Sequence, residues 1–296
     1  MMLLNIFKDI IQQDFFRNAF IASMLIGIIS PLIGSVVVIR RLSNIADTLS
    51  HFALAGVVIG VFTSKLLNLP IKPIFMGIIF SVGGTFIIEK IRNYYKNYKE
   101  LSMAIVISLG VALTGLFISK TEGMSTSVTI GLLFGSIFSV SGFDVLMIFL
   151  FGLGILIFII LFYRQIITLC FDETYARISG INVKALQLAI TIILALAISI
   201  FIELVGVLLI SALLIIPTSS SILIGKSFQH TIFYSIVFSI TSIIVGFIAS
   251  YYIDLPLGST IAITNILILF LIFLIIKIKD IKHKRKNEEE KPIDSL

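Results

Sequence analysis

Long apolar stretches divided by short polar breaks run the whole length of this chain. They cover about 16 to 39, 46 to 64, 73 to 88, 101 to 119, 143 to 163, 186 to 202, 204 to 224, 231 to 252 and 257 to 276. Within them polar and apolar positions do not alternate, which rejects the strands of a membrane barrel. A helix needs roughly 20 apolar residues to cross a ~30 Å hydrocarbon core. The pattern therefore predicts an all-α, polytopic integral membrane protein with eight or nine transmembrane helices. The run from Val128 to Val140 is too brief to cross and contains Gly131 and Gly135; it is expected as a half-helix or re-entrant piece packed within protein.

The count turns on the stretch from Lys184 to Ile224, interrupted only by Glu203 and Gly206 and carrying Pro217 near its end. Basic residues settle how it is read. Two spans put Arg40 and Arg41, Lys90 to Lys99, Arg164 to Lys184, Lys226 and the tail from Lys277 to Lys291 on one side, 17 of the 22 Lys and Arg. By the positive-inside rule that side is cytoplasmic, with the N-terminus outside and the C-terminus inside. One kinked span would strand either the tail or most upstream basic loops outside. The expected organisation is a membrane domain over 1–276 and a charged cytoplasmic tail over 277–296 that fixes topology.

Composition agrees: 58% of residues are hydrophobic and 13% charged, with a mean hydropathy of +1.14. No sizeable soluble domain fits, and the formal charge of +6 reports orientation in the bilayer rather than a nucleic-acid partner. The single Cys170 excludes a disulfide scaffold. The first apolar run, Phe16 to Ile39, is too long for a signal-peptide core and is read as a retained helix. No GxxxxGK[ST] loop occurs, so any ATP hydrolysis belongs to a separate chain and this one is not expected to be an enzyme.

Only one acidic residue, Asp47, lies well inside an apolar span, and His51 follows one helical turn later in RRLSNIADTLSHFALAGVVIG. Counted from Arg41, a 1.5 Å rise places Asp47 about 9 Å and His51 about 15 Å into the membrane. An aspartate at bilayer centre costs on the order of 2.5 to 3.5 kcal/mol on insertion scales, so it needs a partner, a water-filled cavity or a cation. Three readings follow. The two side chains bond each other or neighbours such as Thr48 and Ser50; they relay protons; or they form half of a divalent-metal site that a second copy completes as Asp2His2. Glu203 is a further candidate lining residue at the outer boundary, while Gly56 and Gly60 are read as helix-packing positions. His230, His283 and Cys170 anchor no claim. The connector CFDETYARISGINVKALQ mixes Phe171, Asp172 and Glu173 with small Ala176 and a Gly180 suited to a helix C-cap, and could form a short amphipathic helix that docks a partner.

Five blocks in order resemble the membrane permease of zinc- and manganese-type ATP-binding-cassette importers: RRLSNIADTLSHFALAGVVIG, LLFGSIFSVS, FDETYARISGINV, VGVLLISALLIIPTSSSILIG and YYIDLPLGSTIAI. The resemblance covers nearly the whole chain. It implies a permease in a bacterial cell membrane that pairs with a second copy of itself and with two cytoplasmic ATPase subunits. An extracellular metal-binding protein, often a lipoprotein, delivers the cargo. By the same resemblance Asp47 and His51 match a D-x-x-x-H element that contacts the metal, and Ser50 and Ser136 join the pathway. The block around Phe171, Asp172, Glu173, Ala176 and Gly180, with the loop around Lys226, seats the ATPases. No cofactor is held permanently; the metal is cargo. Ala46, where the family often has Gly, and Ser136, where it often has an acid, point to zinc, then manganese, then iron. The rivals are a proton-driven secondary transporter in which Asp47 and His51 titrate, an ATP-driven importer of a metal chelate such as a siderophore or cobalamin, and a purely structural membrane subunit.

Overall fold

The computed structural model describes residues 12–68, 72–95, 98, 100–121, 126–136, 140–253 and 255–289. Among them every regular element is a helix: α1 (Asp14–Ile39), α2 (Ser43–Leu67), α3 (Pro73–Tyr94), α4 (Leu101–Lys120), α5 (Thr126–Phe134), α6 (Gly142–Leu161), α7 (Tyr163–Phe171), α8 (Glu173–Ile178), α9 (Val183–Val205), α10 (Val207–Ile222), α11 (Phe228–Ile253) and α12 (Leu257–Glu289). Eight are long and apolar enough to cross a membrane, and part of α10 (Leu209–Ile222) forms a shorter apolar helix. The polytopic all-α fold thus stands, with α10 as the ninth helical run.

Burial sorts these helices into an inner and an outer set. The spans α1, α2 and α9 are mostly covered within the chain, whereas α4, α6 and α12 bury little of themselves and expose rows of Leu, Ile and Phe such as Leu109, Leu153 and Phe270. In water such rows would drive aggregation; in lipid they are the solvent-matched face. At the centre, α9 packs on α1, α2, α3, α6 and α10. A buried pair of hydroxyls, Ser81 and Ser199, bonds across α3 and α9 at 2.7 Å.

The break expected near Glu203 and Gly206 is a chain reversal. Gly206 ends α9 with φ +81° and ψ 154°, a backbone that side-chain-bearing residues rarely adopt. Val183, at the start of α9, shares an apolar cluster with Val36 and Leu169 beside Arg40. The far half of α10 returns to that same level, where a Cβ on Gly34 of α1 would fall 2.1 Å from the Leu214 carbonyl. So α9 and α10 run antiparallel: the stretch forms two helices rather than one, and α10, at 16 residues, is shorter than the eight membrane-length helices.

The short run expected as a half-helix is α5, which ends at Phe134 rather than Val140, with 137–139 outside the described residues. Its C-terminal Gly135, also at positive φ, rests on the α9–α10 turn, where a Cβ on Gly206 would fall 2.4 Å from Gly135 N. At the other end of the chain α12 continues to Glu289, past the expected boundary at 276. Lys, Arg and Glu are good helix formers, so the change from apolar to charged residues marks a change of surroundings and leaves the backbone helical.

Candidate functional site

The turn that positions Asp47 is tight. Arg40 and Leu42 N–H donate to the Val36 and Val37 carbonyls at 3.0 and 2.8 Å. Arg41 takes the left-handed conformation, φ 56°, so α2 starts at Ser43 with almost no linker. Asp47 then lies one turn inside α2 and His51 two turns inside.

Across residues 45–58 every position is buried except Asp47 and His51, which are half-buried. The two residues able to bind a cation are therefore the openings in an otherwise sealed stretch of helix. Asn44, preceding them on the same face, is exposed, while Leu54, Ala55 and Val58, following them, are buried. The opening runs toward the Arg40 end and closes beyond His51. On one flank α4 comes close enough that a Cβ on Gly110 would lie 3.1 Å from the His51 carbonyl carbon; α3, α9 and α10 pack against α2 elsewhere.

A purely structural role for the pair finds no support in its bonding. Thr48 donates its hydroxyl to the Asn44 carbonyl at 2.7 Å and Ser50 to the Ala46 carbonyl at 2.8 Å. Both therefore turn back onto their own helix. Among the described residues no hydrogen bond or ion pair engages Asp47 or His51, and no cluster of three or more His, Cys, Asp or Glu forms within the chain. Among the described residues, one chain supplies two free metal-binding groups at this site, a carboxylate and an imidazole, and no third.

The other sequence candidates fall in separate places. Ser136 is half-buried just beyond α5, near the α9–α10 turn, and so lies away from the Arg40 end toward which Asp47 opens. The Glu203 backbone ends α9 at that turn, but its side chain lies outside the described residues, as does that of His283. A cleft of about 470 Å3 at the Arg40 end is lined by Ile45, Glu89, Arg92, Lys184 and Thr191. Ile45 is turned about 200° around α2 from Asp47, so this cleft is distinct from the candidate site.

The connector holds one short helix, α8, between the end of α7 at Phe171 and the start of α9 at Val183. Asp172 caps α8, accepting from Thr174 and Tyr175 N–H at 2.8 and 2.9 Å. Ile181 N–H returns to the Ala176 carbonyl while Gly180 sits at φ +80°, a Schellman-type stop. Ala176 is fully buried in a cluster with Val36, Leu169 and Phe228, which joins this segment to the loop carrying exposed Lys226. Phe171, Tyr175 and Ile178 stay exposed at 69%, 61% and 80%, an apolar face at the rim of the bundle. Sequence reasoning missed Arg40. Its guanidinium donates to the Leu169 carbonyl at 3.0 Å and to Glu173 Oε2 at 3.1 Å, a pairing between residues far apart in sequence.

Charge at this junction follows from those bonds. Hydrogen bonds from Arg177 and Arg40 hold the Glu173 carboxyl below its usual range. Burial pushes the Cys170 thiol up to about 11 despite the nearby Arg40 charge, so it is an inert thiol.

Eight helices long and apolar enough to cross a bilayer define a polytopic membrane protein. The chain matches the ABC 3 transport family over residues 12–277 and belongs to that family. It is 30% identical over 268 residues to the "probable metal transport system membrane protein" of Treponema pallidum, covering 90% of this chain and 98% of the relative. It is 29% identical over 281 residues to the "manganese transport system membrane protein MntC" of Listeria monocytogenes, covering 95% and 98%. Among solved structures it resembles PsaBC from Streptococcus pneumoniae, in complex with Fab, with a TM-score of 0.80 at 26% identity over 92% of this chain and 95% of that one. The protein is thus a membrane permease of that family.

Proposed function

We propose that this permease imports a divalent metal ion across the cell membrane, through a path at the interface of two copies, with Asp47 and His51 of each copy binding the ion in transit. The observation that carries the reading is the exposure pattern of α2: the half-buried positions in 45–58 are the two metal-binding side chains. Left facing lipid, the carboxylate alone would cost on the order of 2.5 to 3.5 kcal/mol. A second copy on a twofold axis removes that cost and completes a four-donor site. Two imidazoles and two carboxylates match tetrahedral zinc, whereas manganese calls for further oxygens. Zinc is accordingly the first cargo, and manganese, which the Listeria relative's name carries, the second.

Energy comes from two cytoplasmic ATPase subunits seated on Phe171, Tyr175 and Ile178 and on the loop at Lys226. An extracellular metal-binding lipoprotein supplies the ion. The N-terminus lies outside and the C-terminus inside. Uptake of zinc and of manganese into proteoliposomes containing the permease and its ATPase tests this. ATP-dependent accumulation that is lost in Asp47→Ala and His51→Ala is expected. Accumulation that persists without ATPase and collapses with an uncoupler would favour a proton-driven carrier, and retention of a bulky chelate would favour the chelate importer.

A further inference from the structure

We propose that Arg40 is the strut through which movement of the α7–α8 segment reaches the helix that holds Asp47 and His51. The inference rests on reading 171–180 as the ATPase seat, and deepens it.

Three observations meet at this residue. The Arg40 side chain is only 13% exposed and bridges two elements, the last turn of α7 through the Leu169 carbonyl and the first residue of α8 through Glu173. Glu173 is itself held by Arg177 at 2.7 Å, so the chain Arg177–Glu173–Arg40 ties the exposed face of α8 to the end of α1. From Arg40 onward the path is stiff: the left-handed Arg41 and the bonds of Ile45 and Ala46 N–H to the Leu42 carbonyl lock the turn onto the first turn of α2. A displacement of α8 therefore moves the base of α2, and Asp47 is one turn above that base.

The third observation is an unpaired hydrogen-bond donor. Arg40 Nε is buried and, among the described residues, donates to nothing, a cost that a saturated clamp would not carry. A second position of α7–α8 that pairs Nε is thus favoured by the same side chain, which gives the junction two arrangements for ATPase closure to choose between. As a mere surface ion pair, with Glu173 41% exposed, the contact would be worth little; at a junction it fixes which helix follows which.

The test measures metal ions accumulated per ATP hydrolysed in proteoliposomes holding the permease, its ATPase subunits and the binding protein. Arg40→Gln is expected to lower that ratio about tenfold, a magnitude typical of coupling between sites, while the ATPase co-purifies in the wild-type proportion. Arg40→Glu should uncouple more severely, and Arg40→Glu combined with Glu173→Arg should recover coupling relative to Arg40→Glu alone. A merely structural role would lower uptake, hydrolysis and yield together and leave the ratio unchanged. An unchanged ratio in Arg40→Gln, or a double variant no better than Arg40→Glu, overturns the proposal. In the same vesicles, uptake that survives Asp47→Asn would instead overturn the underlying transport reading.

Discussion

Asp47 and His51 stand out because none of the described residues bonds to them, while the hydroxyls beside them are spent on the α2 backbone. Replacing either donor should cost more than the about 10- to 100-fold that losing an outer-shell partner costs a metal site. We expect uptake in Asp47→Asn and His51→Ala to fall at least that far, with the yield of folded complex unchanged, as read by metal-resolved uptake beside gel filtration. Gly206 obeys a different constraint. Ala there would pay about 1 to 2 kcal/mol for its left-handed φ and also drive a Cβ onto the Leu133 carbonyl and Gly135 N, 2.5 and 2.4 Å away. Gly206→Ala should accordingly lower the melting temperature of the detergent-solubilised protein, more than Ala at Gly154, which meets nothing within 4 Å. At Cys170, a thiol pushed up to about 11 leaves roughly one part in a thousand as thiolate at pH 8. Alkylation should be slow there and climb steeply as pH rises toward 11, which a labelling time course measures.

Helices as units were largely legible, since runs of about 20 apolar residues have few solutions in lipid. The ends were less so. The run beginning at 186 starts at Val183 because Asn182 caps Ala185 N–H at 3.1 Å, and the last helix runs on through its lysines. The connector at 171–180 read as one amphipathic helix because its polar and apolar residues sit close together. That helix is α8, and it starts at Glu173 because Asp172 is worth more as a cap than inside a helix. Held below the usual glutamate range by Arg177 and Arg40, Glu173 favours the docked α8 at pH above its unfolded value, and that contribution is lost as pH falls through the lower folded value. Reconstituted coupling should therefore stay flat from neutral pH down to the ordinary glutamate range and decline only below it, unlike in Glu173→Gln, where that acidic decline is absent. A pH series of ions moved per ATP checks this.

At the scale of the whole molecule the expected orientation is open to a direct measurement. In a Cys170→Ser background, Lys226→Cys should react with an impermeant maleimide only from the cytoplasmic face and Lys120→Cys only from outside; both positions are exposed. The reverse pattern would turn the permease over and remove the seat for its ATPase. Sequence alone settled that the chain lives in lipid, that it is built of long apolar helices, and that Asp47 and His51 share one face, because hydrophobic length and helical spacing are local properties. Tertiary packing decided the rest. Which faces of α2 are covered, that Gly135 meets Gly206, and that Arg40 reaches Glu173 all depend on residues far apart in the chain, and no periodicity within a helix records what a different helix will bring against it.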